Sequence, residues 1–442
     1  MKKILFVLIT LVTLNINAQH TISGTFSPAE DFTWLIAYRL KEGTQVYVAD
    51  SKIDKGSFSL TIPENKEPGT YRIVYAVPQE EYNFDIIYNG KEDIVFNFNV
   101  DNGASFKKSE ENIVLNTYLS ELASTEKEII DFYNSNDRLN KSKFNKITAK
   151  LTAVQKNYEE KSKGLMAHNF ITSNKPYIPT QLETVQDYVA HKKENYFNAL
   201  DFSNSVLKSS NFLTDKSTNY VFSALPLKEV TKGEKEQIII ENVKTLDKYV
   251  DTTAANFKFQ LYNNLWNYAV AYGYNDVSDY IYNATLKDLA VKTENIEIKA
   301  AIEAHNRLRL GEIAPEITWK SDKIAKKLST LEGATNYVLI FWSSTCGHCL
   351  KELPALHKEL KDKSGIKVVA VGLEDGTDTW DTAIAKLTAF EHAISLGKWD
   401  STYAALYDIH ATPTYYVLDK DKKIIAKPED DKAVVEFLDK IY

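Results

Sequence analysis

Cys346 and Cys349 are the only two cysteines among 442 residues, and they stand together as Cys346-Gly347-His348-Cys349. An apolar run, residues 338–342 (Val-Leu-Ile-Phe-Trp), directly precedes them. Structural free thiols scatter through cores, so a chain whose whole cysteine complement is one C-x-x-C pair after a strand-like run is suited to thiol–disulfide exchange. Thr345 is the expected N-cap of a helix starting at Cys346. The unpaired N–H groups and dipole of that first turn favour negative charge on the Cys346 sulfur, and a protonated His348 would add to this. Cys346 is therefore expected to titrate below the roughly 8.5 of a free thiol and to attack, while Cys349, one turn deeper, resolves. Haem attachment would need His directly after the second cysteine, where Leu350 stands. Structural zinc would need to recruit the distant His357, His392 or His410. His392 and His410 read as structural or surface side chains, although His410 lies close before Pro413.

Three kinds of pattern surround the pair. From about residue 20 to 103, Phe58, Leu60 and Ile62 alternate with polar residues, as do Phe96, Phe98 and Val100. That is the period of half-buried strands, and Lys55-Gly56, Asn89-Gly90 and Asn102-Gly103 supply turns, which predicts a small antiparallel β sandwich. Near Ser109 the period changes: Leu115, Tyr118, Leu119 and Leu122 fall on one stripe of an amphipathic helix. Helix-favouring segments continue to about Leu310, with Pro176, Pro179 and Pro226 marking connections. The many aromatics at helical spacing read as core, not as a cofactor box. After Gly311, strands at 338–342, 367–373 and 414–418 alternate with helices at 350–360, 379–390 and 432–441, an α/β pattern. The cysteines sit at the carboxyl end of its first strong strand, where ligand chemistry is expected in such sheets.

Lys2 and Lys3, the apolar run 4–14 and Ala18 have the layout of a cleavable secretory signal, with Gln19 as the expected new N-terminus. The run is shorter than the roughly 18 to 20 residues that span a bilayer, and no later segment is long and apolar enough. Export permits disulfides, yet no second cysteine pair exists, so stability must come from burial. A net charge of −7, with no basic stretch interleaved with aromatics, gives no reason to expect a nucleic-acid partner.

Phe341-Trp342-x-x-x-Cys346-Gly347-His348-Cys349, followed by Pro354 and later by Ala411-Thr412-Pro413-Thr414, resembles the thioredoxin fold. Gly311-Glu312-x-Ala314-Pro315, Glu352-Leu353-Pro354 and an insertion between Lys367 and Ala411 resemble its exported TlpA/ResA-like branch. More weakly, residues 20–105 resemble a β domain of unknown function placed ahead of such domains. The expected architecture is thus multi-domain α+β: signal peptide 1–18, β sandwich 19–105, helical domain or spacer 106–310, and thioredoxin-like α/β domain 311–442. The resemblance implies that Cys346 attacks and Cys349 resolves. It implies that Pro413 is the cis-proline, that its neighbour Thr412 offers backbone hydrogen bonds to a substrate chain, and that Trp342 packs beside the pair. It further implies protein disulfides as substrates, a membrane thiol electron donor, a redox-active Cys346–Cys349 disulfide with no other cofactor, and often a place in cytochrome c maturation.

The chain departs from the pattern in two places. Thioredoxins carry a buried Asp six residues before the first cysteine, and Ile340 stands there. The branch often places a carboxylate after the next strand, where Glu374 is the match for an acid–base role. Asp421-Lys422-Lys423 also lacks the glycine that would ease a hairpin turn. The direction of electron flow stays open. Gly-His between the cysteines is the isomerase pairing, at about −180 mV against about −270 mV for thioredoxin, which favours an oxidase or isomerase. The TlpA/ResA resemblance implies a reductase. A third reading makes the β and helical regions a binding scaffold that captures a partner.

Overall fold

The computed structural model describes residues 19–321 and 324–441. The expected secretory signal, residues 1–18, lies outside the described residues. The chain divides into two compact units between Thr293 and Glu294. Among the described residues no helix is long and apolar enough to cross a membrane.

The first unit opens with eight strands: β1 (Thr21–Ser27), β2 (Trp34–Lys41), β3 (Thr44–Lys52), β4 (Ser57–Thr61), β5 (Gly69–Val74), β6 (Asn83–Tyr88), β7 (Ile94–Asn99) and β8 (Gly103–Lys108). They form two four-stranded sheets, β4-β1-β7-β8 and β3-β2-β5-β6. Alternate side chains of both sheets, among them Phe26, Phe58, Phe96, Leu35, Tyr71 and Ile73, meet in one core. The sandwich is not wholly antiparallel as expected, because β1 pairs parallel with β7. Gly24 permits the approach: a Cβ there would lie 1.6 Å from the Phe96 carbonyl oxygen.

Ser109 caps helix α1 (Glu110–Asn134), its side chain accepting the Asn112 N–H. Further helices follow: α2 (Lys141–Lys161), α3 (Ala167–Ser173), α4 (Val185–Glu194), α5 (Ser205–Lys208), α6 (Phe212–Ser223), α7 (Lys232–Val250), α8 (Ala255–Ala271), α9 (Asn275–Ile281) and α10 (Lys287–Lys292). Pro176 and Pro179 lie between α3 and α4, and Pro226 between α6 and α7, as expected. The buried stripe of α1 is rotated from the expected one. Tyr118, Leu122, Ile129 and Phe132 are buried, whereas Leu119 is exposed, because α2 and α3 cover only one side of the helix. Asn112 ties the helices to the sandwich: its amide accepts the Ile87 N–H at 2.8 Å and donates to the Ile87 carbonyl at 2.7 Å, continuing the ladder beyond edge strand β6.

The second unit begins with α11 (Ile296–Leu308), whose Leu308 joins that unit's core. A hairpin of β9 (Thr318–Ser321) and β10 (Ile324–Lys327) leads into a five-stranded sheet with intervening helices. The elements are β11 (Asn336–Trp342), α12 (Gly347–Leu360), β12 (Ile366–Glu374), α13 (Asp378–Ile384), β13 (Glu391–Leu396), α14 (Thr402–Leu406), β14 (Thr414–Leu418), β15 (Ile424–Ala426) and α15 (Asp431–Ile441). Sheet order is β13-β12-β11-β14-β15, with β11, β12 and β13 parallel and β14 and β15 antiparallel. Both faces are covered, so β11 is buried throughout. Val338, Ile340 and Trp342 pack with α12 and α15, while Tyr337, Leu339 and Phe341 pack with α11 and α14.

The helix expected over 379–390 ends at Ile384. Beyond it the backbone closes i to i+3 turns that bury Leu387 and Phe390, and β13, unforeseen from the sequence, follows. The glycine-free turn is held by a side chain: Asp419 Oδ1 accepts the N–H groups of Asp421 and Lys423, both at 2.9 Å. Lys422 there adopts φ 66° and lays its ammonium 3.8 Å from the Tyr337 ring centroid.

Candidate active site

β11 ends at Trp342, the chain turns through Ser343, Ser344 and Thr345, and α12 starts after Cys346. The helix cap is one residue later than expected. Cys346, with φ −88° and ψ 118°, is itself the N-cap, and its Sγ accepts the Cys349 N–H at 3.3 Å. Thr345 instead shares a hydrogen bond with Ser343 Oγ at 3.0 Å. The sulfur thus sits on the axis of unpaired N–H groups rather than inside the first turn.

Both thiols are free, and their surroundings differ. Cys346 is partly exposed. Partial burial pushes its pKa up, but hydrogen bonds from the Cys349 thiol and N–H, from Thr412 and from the His348 N–H outweigh it and leave Cys346 below an ordinary thiol. The His348 side chain itself is exposed, and its backbone contributes here. Cys349 is 0% exposed, and burial, aided by its hydrogen bond to Cys346, pushes it up to about 12. Of the two sulfurs, Cys346 is therefore the more readily deprotonated.

The Thr412–Pro413 peptide bond is cis, and the Thr412 carbonyl lies 3.4 Å from Cys346 Sγ. Thr412 and Pro413 therefore stand against the Cys346 sulfur across the sheet end. Trp342 is 1% exposed and shares the core with Cys349, its indole Nε1 without a hydrogen-bond partner among the described residues. Trp342, Cys349, Leu353 and Leu387 line a mainly apolar cavity of about 490 Å³, with Leu350 and Lys386 also along its wall. His410 lies at the surface, its imidazole 82% exposed and paired with Asp408 at 3.0 Å. His392 bonds the Leu387 carbonyl at 2.9 Å and serves the turn before β13.

Glu374 is 2% exposed at the end of β12. Its carboxylate accepts the Ser344 N–H, the Ser344 hydroxyl at 3.0 Å and the Ser343 hydroxyl at 3.3 Å. Ser344 Oγ also meets Thr379 Oγ1 at 2.7 Å. Glu374 therefore acts on the loop that delivers Cys346, and its hydrogen bonds go to that loop rather than to either sulfur. The supporting serines were not singled out from the sequence; the signal available was a Ser-Ser-Thr run between a buried strand and a cysteine. A second unforeseen pair is Tyr415 and Glu352: Tyr415 Oη donates to Glu352 at 2.9 Å, beside Cys349. Burial, then that hydrogen bond, drives the phenol pKa far up. Ile340, at the position where thioredoxins carry Asp, is fully buried in the α12 face of the core.

Residues 310–427 match the AhpC/TSA family model. Among solved structures, a domain of a possible thiol-disulfide isomerase from Cytophaga hutchinsonii is 34% identical, over 30% of this chain and 93% of that one, with a TM-score of 0.27. A thiol-disulfide oxidoreductase from Bacteroides fragilis is 26% identical over 30% and 100% of the two chains, with a TM-score of 0.27. A thioredoxin-like protein from Bacteroides caccae is 18% identical over 60% and 98%, with a TM-score of 0.35. Among curated proteins nothing matches. The C-terminal unit is a thioredoxin-like α/β domain, joined in one chain to an N-terminal β sandwich and a helical region.

Proposed function

We propose that the chain is an exported thiol–disulfide oxidoreductase that reduces disulfides of other proteins and is itself recharged by a membrane thiol donor. The observation that carries this is the asymmetry of the pair: Cys346 is accessible and held below an ordinary thiol, and Cys349 is buried and pushed up to about 12. The Cys346 thiolate attacks one sulfur of the substrate disulfide. That S–S bond breaks, the first substrate thiolate leaves and takes a proton, and a mixed disulfide remains on Cys346. Cys349 then gives up its proton as its sulfur attacks Cys346, releasing the second substrate thiol. Two electrons have passed to the substrate, and Cys346–Cys349 is a disulfide that the donor must reduce.

Thr412 and Pro413 border Cys346 where a substrate backbone would lie, and Trp342 closes the buried side. Glu374 serves by holding the Ser343–Ser344 loop. Cys349→Ser should leave substrates attached to Cys346 as mixed disulfides for identification by mass spectrometry. Recovering none under native expression, with Cys346→Ser leaving the cellular role intact, would favour the scaffold reading instead. Equilibration with glutathione sets the direction. The Gly347-His348 pair favours a more oxidising couple, and a potential near that of protein disulfide isomerase would reassign the protein as an oxidase or isomerase.

A further inference from the structure

In the first unit, α1, α3, α4 and α6, with the connection after α3, surround a polar cavity of about 190 Å³. That is room for about six waters at roughly 30 Å³ each, too little for a nucleotide or a peptide. Glu126, Lys175, Lys192, Lys216, Tyr196 and Asn219 are among its walls. Three lysines and one glutamate thus line it, in a chain whose net charge is −7.

The carboxylate is already committed, since Lys192 Nζ donates to Glu126 at 3.2 Å. Lys216 has no hydrogen-bond acceptor and no ion-pair partner among the described residues. Its ammonium meets only ring faces, Tyr196 at 5.9 Å and Phe212 at 5.7 Å from the centroids. Tyr196 Oη, shared at 3.1 Å between the Lys216 carbonyl and Asn219 Oδ1, orients the Asn219 amide and leaves its Nδ2 without an acceptor among the described residues. The cavity thus offers a half-buried cation with no ion-pair partner among the described residues and, at its exposed mouth, the neutral N–H donor of Asn219. Burial also lowers the Lys216 pKa, so the site as it stands disfavours its charged form. A cation in such surroundings is stabilised by losing its proton or by gaining an anion.

We propose that this cavity binds a small oxyanion, a carboxylate or phosphate, with Lys216 as its charge partner and Asn219 as its neutral donor. Lys192 and Lys175 add attraction. The site is independent of the thiol pair and does not rest on the redox reading.

The test is thermal unfolding and calorimetric titration of the full chain at fixed ionic strength, with inorganic phosphate, succinate and glucose as separate probes. Saturable binding of phosphate or succinate, but not glucose, is expected, and which anion wins identifies the headgroup. Lys216→Met should weaken that binding at least tenfold, while Lys216→Arg should retain most of it. If Lys216→Met does not fold, Asn219→Leu replaces it, with a threefold or greater loss expected. Absence of saturation with both anions, or saturable binding that survives the substitution unchanged, overturns the proposal.

Discussion

The sulfur of Cys346 accepts the backbone N–H of Cys349 at 3.3 Å, so this sulfur is the cap of its own helix and the second thiol belongs to the turn being capped. A thiolate accepts that bond better than a thiol does, which couples the helix start to the charge state of the sulfur. In the reduced protein, the rate of Cys346 alkylation by iodoacetamide should rise with pH along a titration whose midpoint lies below the roughly 8.5 of a free thiol. The sign follows from the lowered pKa: reactivity is present above the folded-state value and lost as pH falls through it. Cys349 should resist the reagent until the solution approaches about 12. A Cys346 midpoint at or above the free-thiol value, read by peptide mass spectrometry, would contradict the site as described.

Glu374 is a positioning residue, because its hydrogen bonds end on Ser343 and Ser344. Glu374→Ala removes a buried acceptor of three donors and should cost roughly 2–4 kcal/mol in urea unfolding, as lost charge-assisted bonds do. Disulfide exchange should slow while the pH midpoint of Cys346 alkylation stays in place, and Glu374→Gln should restore part of the stability. Accumulation of mixed disulfide in Glu374→Gln at unchanged stability would instead make Glu374 the base for the resolving step.

Gly372 lies against Trp380, where a Cβ would meet the indole Nε1 at 2.4 Å. Trp380 sits in α13, the helix that follows Glu374 at the end of β12. Gly372→Ala should therefore destabilise the second unit by about 1–3 kcal/mol through overpacking. The double variant with Trp380→Ala should cost less than the two single losses added together. Strict additivity in denaturant unfolding would show that the contact does not matter.

Asn112 supplies both hydrogen bonds to Ile87 from outside the sheet. Asn112→Ala leaves a buried N–H and a buried carbonyl unpaired and should cost roughly 2–4 kcal/mol in the first unit. Amide hydrogen exchange at Ile87 should accelerate with it, and unchanged protection there would mean the edge of β6 is covered by other means.

The placement of the two cysteines was legible because it is local. Two cysteines at C-x-x-C spacing after a buried run place one sulfur at a helix start and the other inside the turn, whatever surrounds them. The buried strands were legible for a similar reason, since a sheet covered on both faces reads as a continuous apolar run, as 338–342 does. The alternation of Phe58, Leu60 and Ile62 likewise marked β4 correctly. Where packing from elsewhere decides, the reading failed. Leu119 has the right spacing for the α1 stripe but no neighbour to cover it, and the helix after Thr379 stops once Leu387 and Phe390 find the core.

By itself the sequence determined which atoms can exchange electrons, which strand presents them and the order of the three regions, because those follow from residue type and period. Tertiary structure alone decided that β1 runs parallel to β7, that Cys346 rather than Thr345 caps the helix, and that Glu374 grips a serine loop. It also brought Glu352 to Tyr415, and left Lys216 without an ion-pair partner among the described residues. The strand pairing, the Glu374 contacts and the Glu352–Tyr415 bond depend on groups far apart in the chain meeting in a space emptied of water, and hydrogen bonds between such groups are specified only once the core has closed around them.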